Sequence, residues 1–261
     1  MNTTNTTAKK RIMALALALI LLLLALTRVT LSYFTDTKKA TNTFTYGNVS
    51  IKQYEDNNDG SGWTEIPDTA GLQYTNFLPV GTASSNIDAI RGDDNYRLKA
   101  VKVTLDQNSS DAYVRTFIRV PAALLDNPIL HLDIEDGYNG WTKVEYNYIY
   151  TDQSQNDTKY KVILFTQPAA LSNTVGGSNE SQTPLMGAYL DAKANVINGY
   201  LYHVDDSGTL HPATPTVSAS EPLKIDVVTQ AVQADGFETA AAAFTAAFSN
   251  KDPWNNTVPN P

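Results

Sequence analysis

The sequence predicts a mostly β fold, a jelly-roll-type antiparallel β-sandwich with one late α-helix, and an immunoglobulin-like sandwich is the alternative. Three observations favour this class. Apolar and polar residues alternate with a period of two in many short segments, and clusters of turn-forming residues separate these segments. Helical spacing occurs in one stretch near the C-terminus. We therefore expect sheets that pack face to face around one core.

The chain begins with a basic cluster at 9–11, which an apolar run at 12–26 follows directly. At 1.5 Å per residue this run reaches about 22 Å, whereas the hydrocarbon core of a bilayer measures roughly 30 Å. The pattern is typical of a secretory signal peptide. We expect the peptide to cover residues 1–32, with cleavage between Ser32 and Tyr33. An uncleaved anchor is the alternative, and only in that form would the protein contact a membrane.

The net charge excludes two classes of partner, and the lack of cysteine shows what must stabilise the fold. Removal of residues 1–32 takes away four basic side chains and no acidic one, so the formal net charge changes from −8 to −12. Proteins bind nucleic acid and anionic lipid through basic patches, and we expect neither partner here. The chain has no cysteine, so the core must stabilise the fold without disulfides. We expect a secreted protein that acts outside the cell or at its surface.

The segment after the expected cleavage point divides into a polar stretch and an alternating one. Residues 33–42 are polar and poorly patterned, whereas apolar residues alternate in 43–54, which predicts a strand. The sequence therefore predicts an N-terminal strand segment over residues 33–54. We expect the remaining residues, 55–261, to form a single β-sandwich domain.

Two hairpins are predicted in the middle of the chain. The first joins 101–105 to 112–120 through a cluster of turn formers. Large side chains occupy both faces of its second strand, so we expect that strand to be covered on both sides. The second hairpin joins 144–150 to 160–164 through a polar turn.

Two further strands and the helix are predicted towards the C-terminus. Alternation predicts strands at 200–204 and 223–228. Residues 235–249 instead repeat phenylalanine and alanine at helical spacing, which predicts a helix. Asp235 is its expected N-cap residue, and Pro253 prevents its continuation.

The sequence contains no recognisable catalytic or metal-binding motif. We predict no enzyme activity and no cofactor, and we assign no catalytic residue or metal ligand. No two of the histidines, His131, His203 and His211, have the spacing of four residues that zinc ligands on one helix need. Residues 55–62 resemble a calcium loop in composition. A twelve-residue register, however, would place Ile66 where the bidentate glutamate belongs.

An aromatic and an acidic residue follow the expected cleavage point, and a Thr-Phe-x-x-Gly run precedes an alternating strand. The residues concerned are Phe34, Asp36, Thr43, Phe44, Gly47, Val49 and Ile51. Together with the signal peptide, they resemble the start of the TasA/camelysin family, whose members carry SipW-type signal peptides. Residues 111–119 and 225–236 resemble strand and late-helix segments of such proteins less specifically.

This resemblance implies a jelly-roll subunit of extracellular biofilm-matrix fibres, assembled head-to-tail by donor-strand exchange after signal-peptide cleavage. The implied partners are further copies of the chain, a SipW-type signal peptidase and an accessory or anchoring fibre protein. A polar tether ahead of a strand suits β-augmentation, and a head-to-tail contact propagates because it does not close. The alternative is a strand that pairs within its own subunit. The candidate donor strand carries Phe34, Asp36, Phe44, Gly47, Val49 and Ile51.

Two other functions remain open at this stage. A cell-surface binding or adhesion module would use exposed tyrosines and loops on the sandwich to bind glycans or proteins. Camelysins have also been classed as casein-cleaving metallopeptidases, so the resemblance admits that activity, although the sequence offers no zinc motif for it.

Overall fold

The computed structural model of the protein describes residues 35–39, 42–45, 49–56, 62–66, 77–152, 158–213, 225–249 and 251–254. The strands in these ranges are β1 (Thr35–Lys39), β2 (Asn42–Thr45), β3 (Ile51–Asp56), β4 (Trp63–Glu65), β5 (Arg97–Leu98), β6 (Val101–Leu105), β7 (Ala112–Pro121), β8 (Leu130–Ile134), β9 (Thr142–Asp152), β10 (Thr158–Thr166), β11 (Glu180–Gln182), β12 (Leu185–Leu190), β13 (Ala194–Ile197), β14 (Tyr200–Val204), β15 (Leu210–Pro212) and β16 (Asp226–Gln233). The helices are α1 (Ile87–Arg91), α2 (Ala122–Asp126) and α3 (Ala240–Phe248), with a 3-10 turn at Tyr138–Gly140.

The strands form four sheets. The main sheet has six strands in the order β2-β1-β16-β7-β10-β9, and the second sheet has the order β11-β6-β3-β4. Two three-stranded sheets have the orders β5-β12-β8 and β13-β14-β15, and we call the latter the meander. Every pairing between these strands is antiparallel.

One hydrophobic cluster lies between the sheets and joins them into a sandwich. Ile118 of β7 and Ala231 of β16 come from the main sheet, Val103 of β6 from the second sheet and Leu185 of β12 from the third, and all four belong to the same buried cluster. Burial of apolar surface between sheets is the main force that stabilises such a fold. The predicted mostly β fold, an antiparallel sandwich with a late helix, is confirmed.

Strand β7 is covered on both faces, as its sequence predicts. Val114 and Ile118 lie in the core between the sheets. Phe117, on the opposite face, packs with a second buried cluster that includes Tyr160, and Trp254 contacts it edge-on with ring centroids 6.4 Å apart. Trp254, in the segment after α3, therefore covers part of the outer face of the main sheet.

The first predicted hairpin is wrong. Strand β6 pairs with β3 and β11 in the second sheet, whereas β7 pairs with β10 and β16 in the main sheet. The turn formers at 106–111 therefore cross from one sheet to the other at the end of the sandwich. The second predicted hairpin is confirmed, because β9 and β10 pair from Thr142 with Thr166 to Asp152 with Thr158.

The expected single strand over 43–54 is also wrong. Strand β2 lies in the main sheet and β3 in the second sheet, so this stretch contributes to two sheets. The polar stretch 33–42 contains strand β1, which pairs with β16. Alternation predicts an extended conformation but does not reveal that a chain leaves one sheet for another within the run.

The late helix begins further along the chain than predicted. Thr239, rather than Asp235, is the N-cap residue, and its hydroxyl accepts a hydrogen bond from the Ala242 amide at 3.2 Å. Gly236 has a φ of +87°, which is incompatible with a helix at that point. Ser249, with a φ of 52°, ends the helix. Helices α1 and α2 were not predicted from the sequence.

The other late strands agree with the prediction in place but not in every bound. Strand β14 covers the predicted 200–204, while β16 begins at Asp226 and continues to Gln233 beyond the predicted end. We call the end of the sandwich where β1 and β7 begin the proximal end. The end where β7 stops at Pro121 and β16 begins is the distal end.

Candidate functional site

The candidate site is one edge of strand β16. The sandwich covers the other edge of this strand and both of its faces. On one side β16 pairs with β7 over eight residue pairs, from Asp226 with Arg119 to Gln233 with Ala112. Towards the core, the Thr229 hydroxyl shares a hydrogen bond of 3.0 Å with the Thr116 hydroxyl.

Thr229 also connects the two main layers of the sandwich. Its hydroxyl donates to Gln53 Oε1 of β3 at 2.9 Å, and both side chains are buried. Buried polar groups that are fully hydrogen-bonded fix the relative position of the elements that carry them. The second sheet therefore fixes β16 from inside.

An arginine buried beneath α3 holds the outer face of β16. Arg115 Nε donates to Gln230 Oε1 at 2.8 Å. The guanidinium lies 4.9 Å from the Phe117 ring centroid, 4.6 Å from that of Phe244 and 5.3 Å from that of Phe248. A cation that is surrounded by aromatic faces and shielded from water interacts with them strongly. Through these contacts Arg115 connects α3, β7 and β16.

The fourth side of β16 is covered by the hairpin of β1 and β2. Strand β1 pairs with β16 over five residues, from Thr35 with Val232 to Lys39 with Val228. Within the described residues, the partner strand of β2 is β1 alone. If the hairpin left, β16 would present a row of unpaired amides and carbonyls, which is a template for another strand.

The hairpin and the strand beneath it differ sharply in composition. The nine residues of β1 and β2 read TDTKK and NTFT, with Phe44 the one apolar residue among them. Strand β16 reads DVVTQAVQ, and six of its eight residues are buried. The backbone pairing of β1 with β16 is the contact that the structure describes between the hairpin and the sandwich.

The structure separates the residues of the predicted donor strand into three groups. Asp36 lies in β1 opposite Ala231, and Phe44 lies in β2 opposite Thr37. Val49 and Ile51 are fully buried in the core, and Ile51 pairs with Leu105 of β6. The remaining predicted residues lie outside the described part of the chain: Ser32, Tyr33, Phe34 and Gly47.

A cleft of about 320 Å³ lies between the loop before α1 and the residues that follow β12. It is lined by Val80, Thr82, Ala83, Ser84, Ser85, Ile90, Tyr189, Asp191, Ala192, Lys193 and His203. The sequence did not reveal this cleft, because its lining comes from segments about a hundred residues apart with no recognisable spacing. Its size is at the lower limit of small-ligand sites.

Paired polar groups surround the cleft. His131 Nε2 lies 2.8 Å from Asp191 Oδ2, and the His131 ring stacks on Tyr189 with centroids 4.9 Å apart. Burial raises the pKa of Tyr189, and the nearby carboxylates add to this effect. The hydrogen bond and charge of Asp206 raise the pKa of Lys193. The cleft therefore offers a neutral phenol and an ammonium group at neutral pH.

A buried carboxylate positions α1 beside this cleft. Asp133 accepts hydrogen bonds from Arg91 Nε at 2.6 Å, Arg91 Nη2 at 3.0 Å and the Tyr96 hydroxyl at 2.7 Å. The Arg-Gly-Asp run that starts at Arg91 is thus part of the structure of the sandwich. Similarly, Glu55 of the calcium-like segment forms a buried ion pair with Lys99.

Two of the three histidines, His203 and His211, lie together on the meander, and the third, His131, pairs with Asp191. His211 Nε2 lies 2.9 Å from Asp205 Oδ2, and His203 faces His211 across the meander. Among the described residues, no group of three or more histidine or acidic side chains is placed to hold a metal ion. No helix in that part of the chain is long and apolar enough to span a bilayer.

No protein-family model, curated protein or solved structure matches this chain. The function is therefore inferred from the residues and from the geometry of the β16 edge and the cleft.

Proposed function

We propose that the protein is a secreted structural subunit that assembles into extracellular fibres by exchange of its N-terminal strand segment between copies. The position of the β1–β2 hairpin supports this proposal most directly. It is a polar segment next to the N-terminus that the expected cleavage would create, and it covers the edge of β16 that β7 leaves open. The resemblance of residues 31–51 to the TasA/camelysin family suggests fibres of a biofilm matrix.

Exchange of this segment conserves its backbone hydrogen bonds. Strand β1 makes the same pairs with β16 whether the two belong to one copy or to two, so the equilibrium depends mainly on concentration and on strain in the connecting residues. The exchanged segment ends at Thr45 in this proposal. Beyond it, Val49 and Ile51 are buried in the core and could leave only if the sandwich unfolded.

Signal-peptide cleavage would control when exchange begins. Strand β1 starts three residues after Ser32, the last residue of the expected signal peptide. An uncleaved N-terminus would hold β1 at the membrane and away from a neighbouring copy. A SipW-type peptidase would release it, and an accessory or anchoring fibre protein would complete the free edge at a fibre end.

Electron microscopy and size-exclusion chromatography of two proteins test this proposal. One begins at Tyr33, and the other begins at Gly47 and so lacks the whole hairpin while it keeps Val49 and Ile51. We expect filaments from the longer protein alone, at a concentration-dependent rate. If the longer protein stays monomeric at every concentration, self-assembly through this segment is wrong. A folded monomer of the shorter protein, checked by circular dichroism, excludes loss of the fold as the cause.

The cleft beside Tyr189 favours a second candidate function, a cell-surface binding module. An aromatic ring with neighbouring hydroxyl groups and an ammonium group suits a polar ligand such as a glycan. Saturable binding of an oligosaccharide by monomeric protein, lost in Tyr189→Ala, would support this function. Chelator-sensitive cleavage of casein by pure protein would instead support a camelysin-like metallopeptidase.

A further inference from the structure

One face of the meander is apolar and open to solvent. In the strand registers Ile197 lies opposite Tyr200, and Val204 lies opposite Leu210, while Tyr202 lies between the two pairs on the same face. Tyr200 and Leu210 are 44% and 46% exposed. The other three side chains are half-buried. We call these five side chains the outer meander face.

The opposite face of the meander has its partners within the chain. Ala194 and Leu201 belong to the core cluster, and His203 lines the cleft. Successive side chains of a strand point to opposite sides of a sheet, so the outer meander face points away from the core. An antiparallel sheet with one face on the core normally presents polar residues on the other. A continuous apolar surface at this place is typical of an interaction site.

The outer meander face lies apart from the strands that would be exchanged. The Asn127 side-chain amide donates to the Pro212 carbonyl at 3.0 Å, which places the end of the meander beside α2, near the distal end. The meander and the main sheet share no strand. Exchange of the N-terminal segment at the β16 edge therefore leaves this face available.

We propose that the outer meander face packs against the same face of a second copy of the chain, and that this contact holds neighbouring fibres together side by side. The inference rests on the proposed function for the fibres themselves, and it adds a second surface through which copies meet. Each copy presents the same residues to the other, so the contact is isologous. Flat apolar faces of two sheets pack in this way when they exclude water between them.

The charge of the chain favours this face as the place where copies meet. Removal of the four basic residues within 1–32 changes the formal net charge from −8 to −12, so acidic surfaces of two copies repel each other. The outer meander face contains no lysine, arginine, aspartate or glutamate. Asn195, opposite Tyr202 at its edge, is polar but uncharged. Two copies that meet here bring no like charges together at the centre of the contact.

The size of the face determines what the contact can hold together. Three strands about 4.8 Å apart, with residues about 3.4 Å apart along them, give a face of roughly 200 Å² per copy. Stable complexes bury about 1,200–2,000 Å² in total, so one such contact does not keep two free subunits together at ordinary concentrations. A fibre repeats the contact at every subunit, and linked weak contacts add up to strong binding. We therefore expect fibres to associate and free subunits to remain separate.

Charged substitutions on the face test this inference. Electron microscopy of the protein that begins at Tyr33 should show bundled filaments, and low-speed sedimentation should pellet them. Tyr200→Glu/Leu210→Glu should form filaments at the same rate but lower the pelleted fraction several-fold, because like charges then face each other. Tyr200→Lys/Leu210→Lys should have the same effect, and a mixture of the two kinds of filament should pellet again. Leu78→Glu/Val175→Glu changes exposed apolar residues elsewhere and is the matched control, which should pellet like the unmodified protein.

The effect of salt distinguishes this contact from one that ion pairs hold. Salt screens the repulsion between acidic chains, and sulfate also strengthens apolar association. The pelleted fraction should therefore rise with sodium sulfate. A fraction that falls as the salt rises would assign the contact to ion pairs and overturn the inference.

The remaining outcomes separate this inference from the proposed function. Unmodified filaments that stay single, or bundles that the glutamate pair leaves unchanged, would overturn the inference and leave strand exchange standing. Single filaments that bind phosphatidylcholine vesicles, with binding lost in the glutamate variant, would replace the second copy by a lipid surface. If no filaments form, the proposed function is wrong, and sedimentation equilibrium of the soluble protein at high concentration tests the face. A weak dimer that the glutamate variant lacks would support the contact, and a strict monomer would overturn it as well.

Discussion

The buried ion pair of Lys99 and Glu55 gives a strong prediction about stability. The two side chains are 2% and 3% exposed, and they connect β3 with the residues between β5 and β6. Lys99→Met keeps most of the side-chain volume but leaves a carboxylate in the interior without its cation. Removal of one partner of a buried pair costs about 3–5 kcal/mol of unfolding free energy, because the remaining charge is uncompensated. Replacement of both, as Glu55→Leu/Lys99→Met, should recover most of that loss.

An exposed pair on the same strand provides the matched control. Lys52 and Glu65 lie 3.0 Å apart with side chains 41% and 48% exposed, and Lys52→Met should leave stability unchanged within error. Urea unfolding followed by tryptophan fluorescence measures all four proteins, since Trp141 is buried and reports the core. A Lys99→Met variant as stable as Lys52→Met would refute the reasoning. So would a double variant that is less stable than Lys99→Met.

Three further predictions concern other elements of the fold. A Cβ at Gly187 would come within 2.1 Å of the Tyr96 hydroxyl. Gly187→Ala should therefore lower the free energy of unfolding, measured in urea, by about 3 kcal/mol or more. Gly81→Ala is the control and should lower it far less, because a Cβ there meets an atom only at 3.6 Å. Burial and, secondarily, the hydrogen bond to Asp133 raise the pKa of Tyr96. The contribution of Tyr96 to stability is therefore present below the unfolded pKa of about 10 and is lost as the pH rises above it. The stability of Tyr96→Phe should fall less steeply over that alkaline range, and an equal slope would contradict the account. Thr239→Ala removes the N-cap of α3 and should lower the melting temperature by an amount equivalent to about 1 kcal/mol. An unchanged melting temperature would show that the Thr239 hydroxyl does not stabilise the start of α3.

The sequence predicted the fold where local patterning and burial agree. Residues 112–120 carry large apolar side chains on both faces, and β7 is covered by the core on one face and by Trp254 on the other. The β9–β10 hairpin followed from two alternating runs and one polar turn. In these cases the residues of the strands themselves indicate the structure, and no knowledge of distant partners is needed.

Strand partners could not be predicted, because alternation is the same in a hairpin and in a crossover between sheets. The turn formers at 106–111 suit either connection, and the structure uses them to cross the sandwich. The helix start was missed for a related reason. Asp235 and Thr239 are both good N-cap residues, and the positive φ of Gly236 selects the later one.

Little of the candidate site could be predicted beyond its place in the chain. The N-terminal segment was identified, but its division between β1–β2 in the main sheet and β3 in the second sheet depends on pairing with β16, nearly two hundred residues later. The cleft beside Tyr189 likewise joins distant segments. Contacts of this kind leave no spacing in the sequence that a motif could capture.

Cysteine cross-linking between copies tests most directly whether β1 of one subunit pairs with β16 of another. Thr35 and Val232 face each other in the register, and such pairs have Cα atoms about 4.5–5.5 Å apart, within the range of a disulfide. Thr35→Cys and Val232→Cys are mixed as separate proteins that begin at Tyr33, under oxidising conditions. We expect a disulfide-linked heterodimer to accumulate as filaments grow. Val228→Cys in place of Val232→Cys is the control, because Val228 faces Lys39 at the other end of β1 and should not cross-link. Filaments that grow without the Thr35–Val232 cross-link would contradict strand exchange.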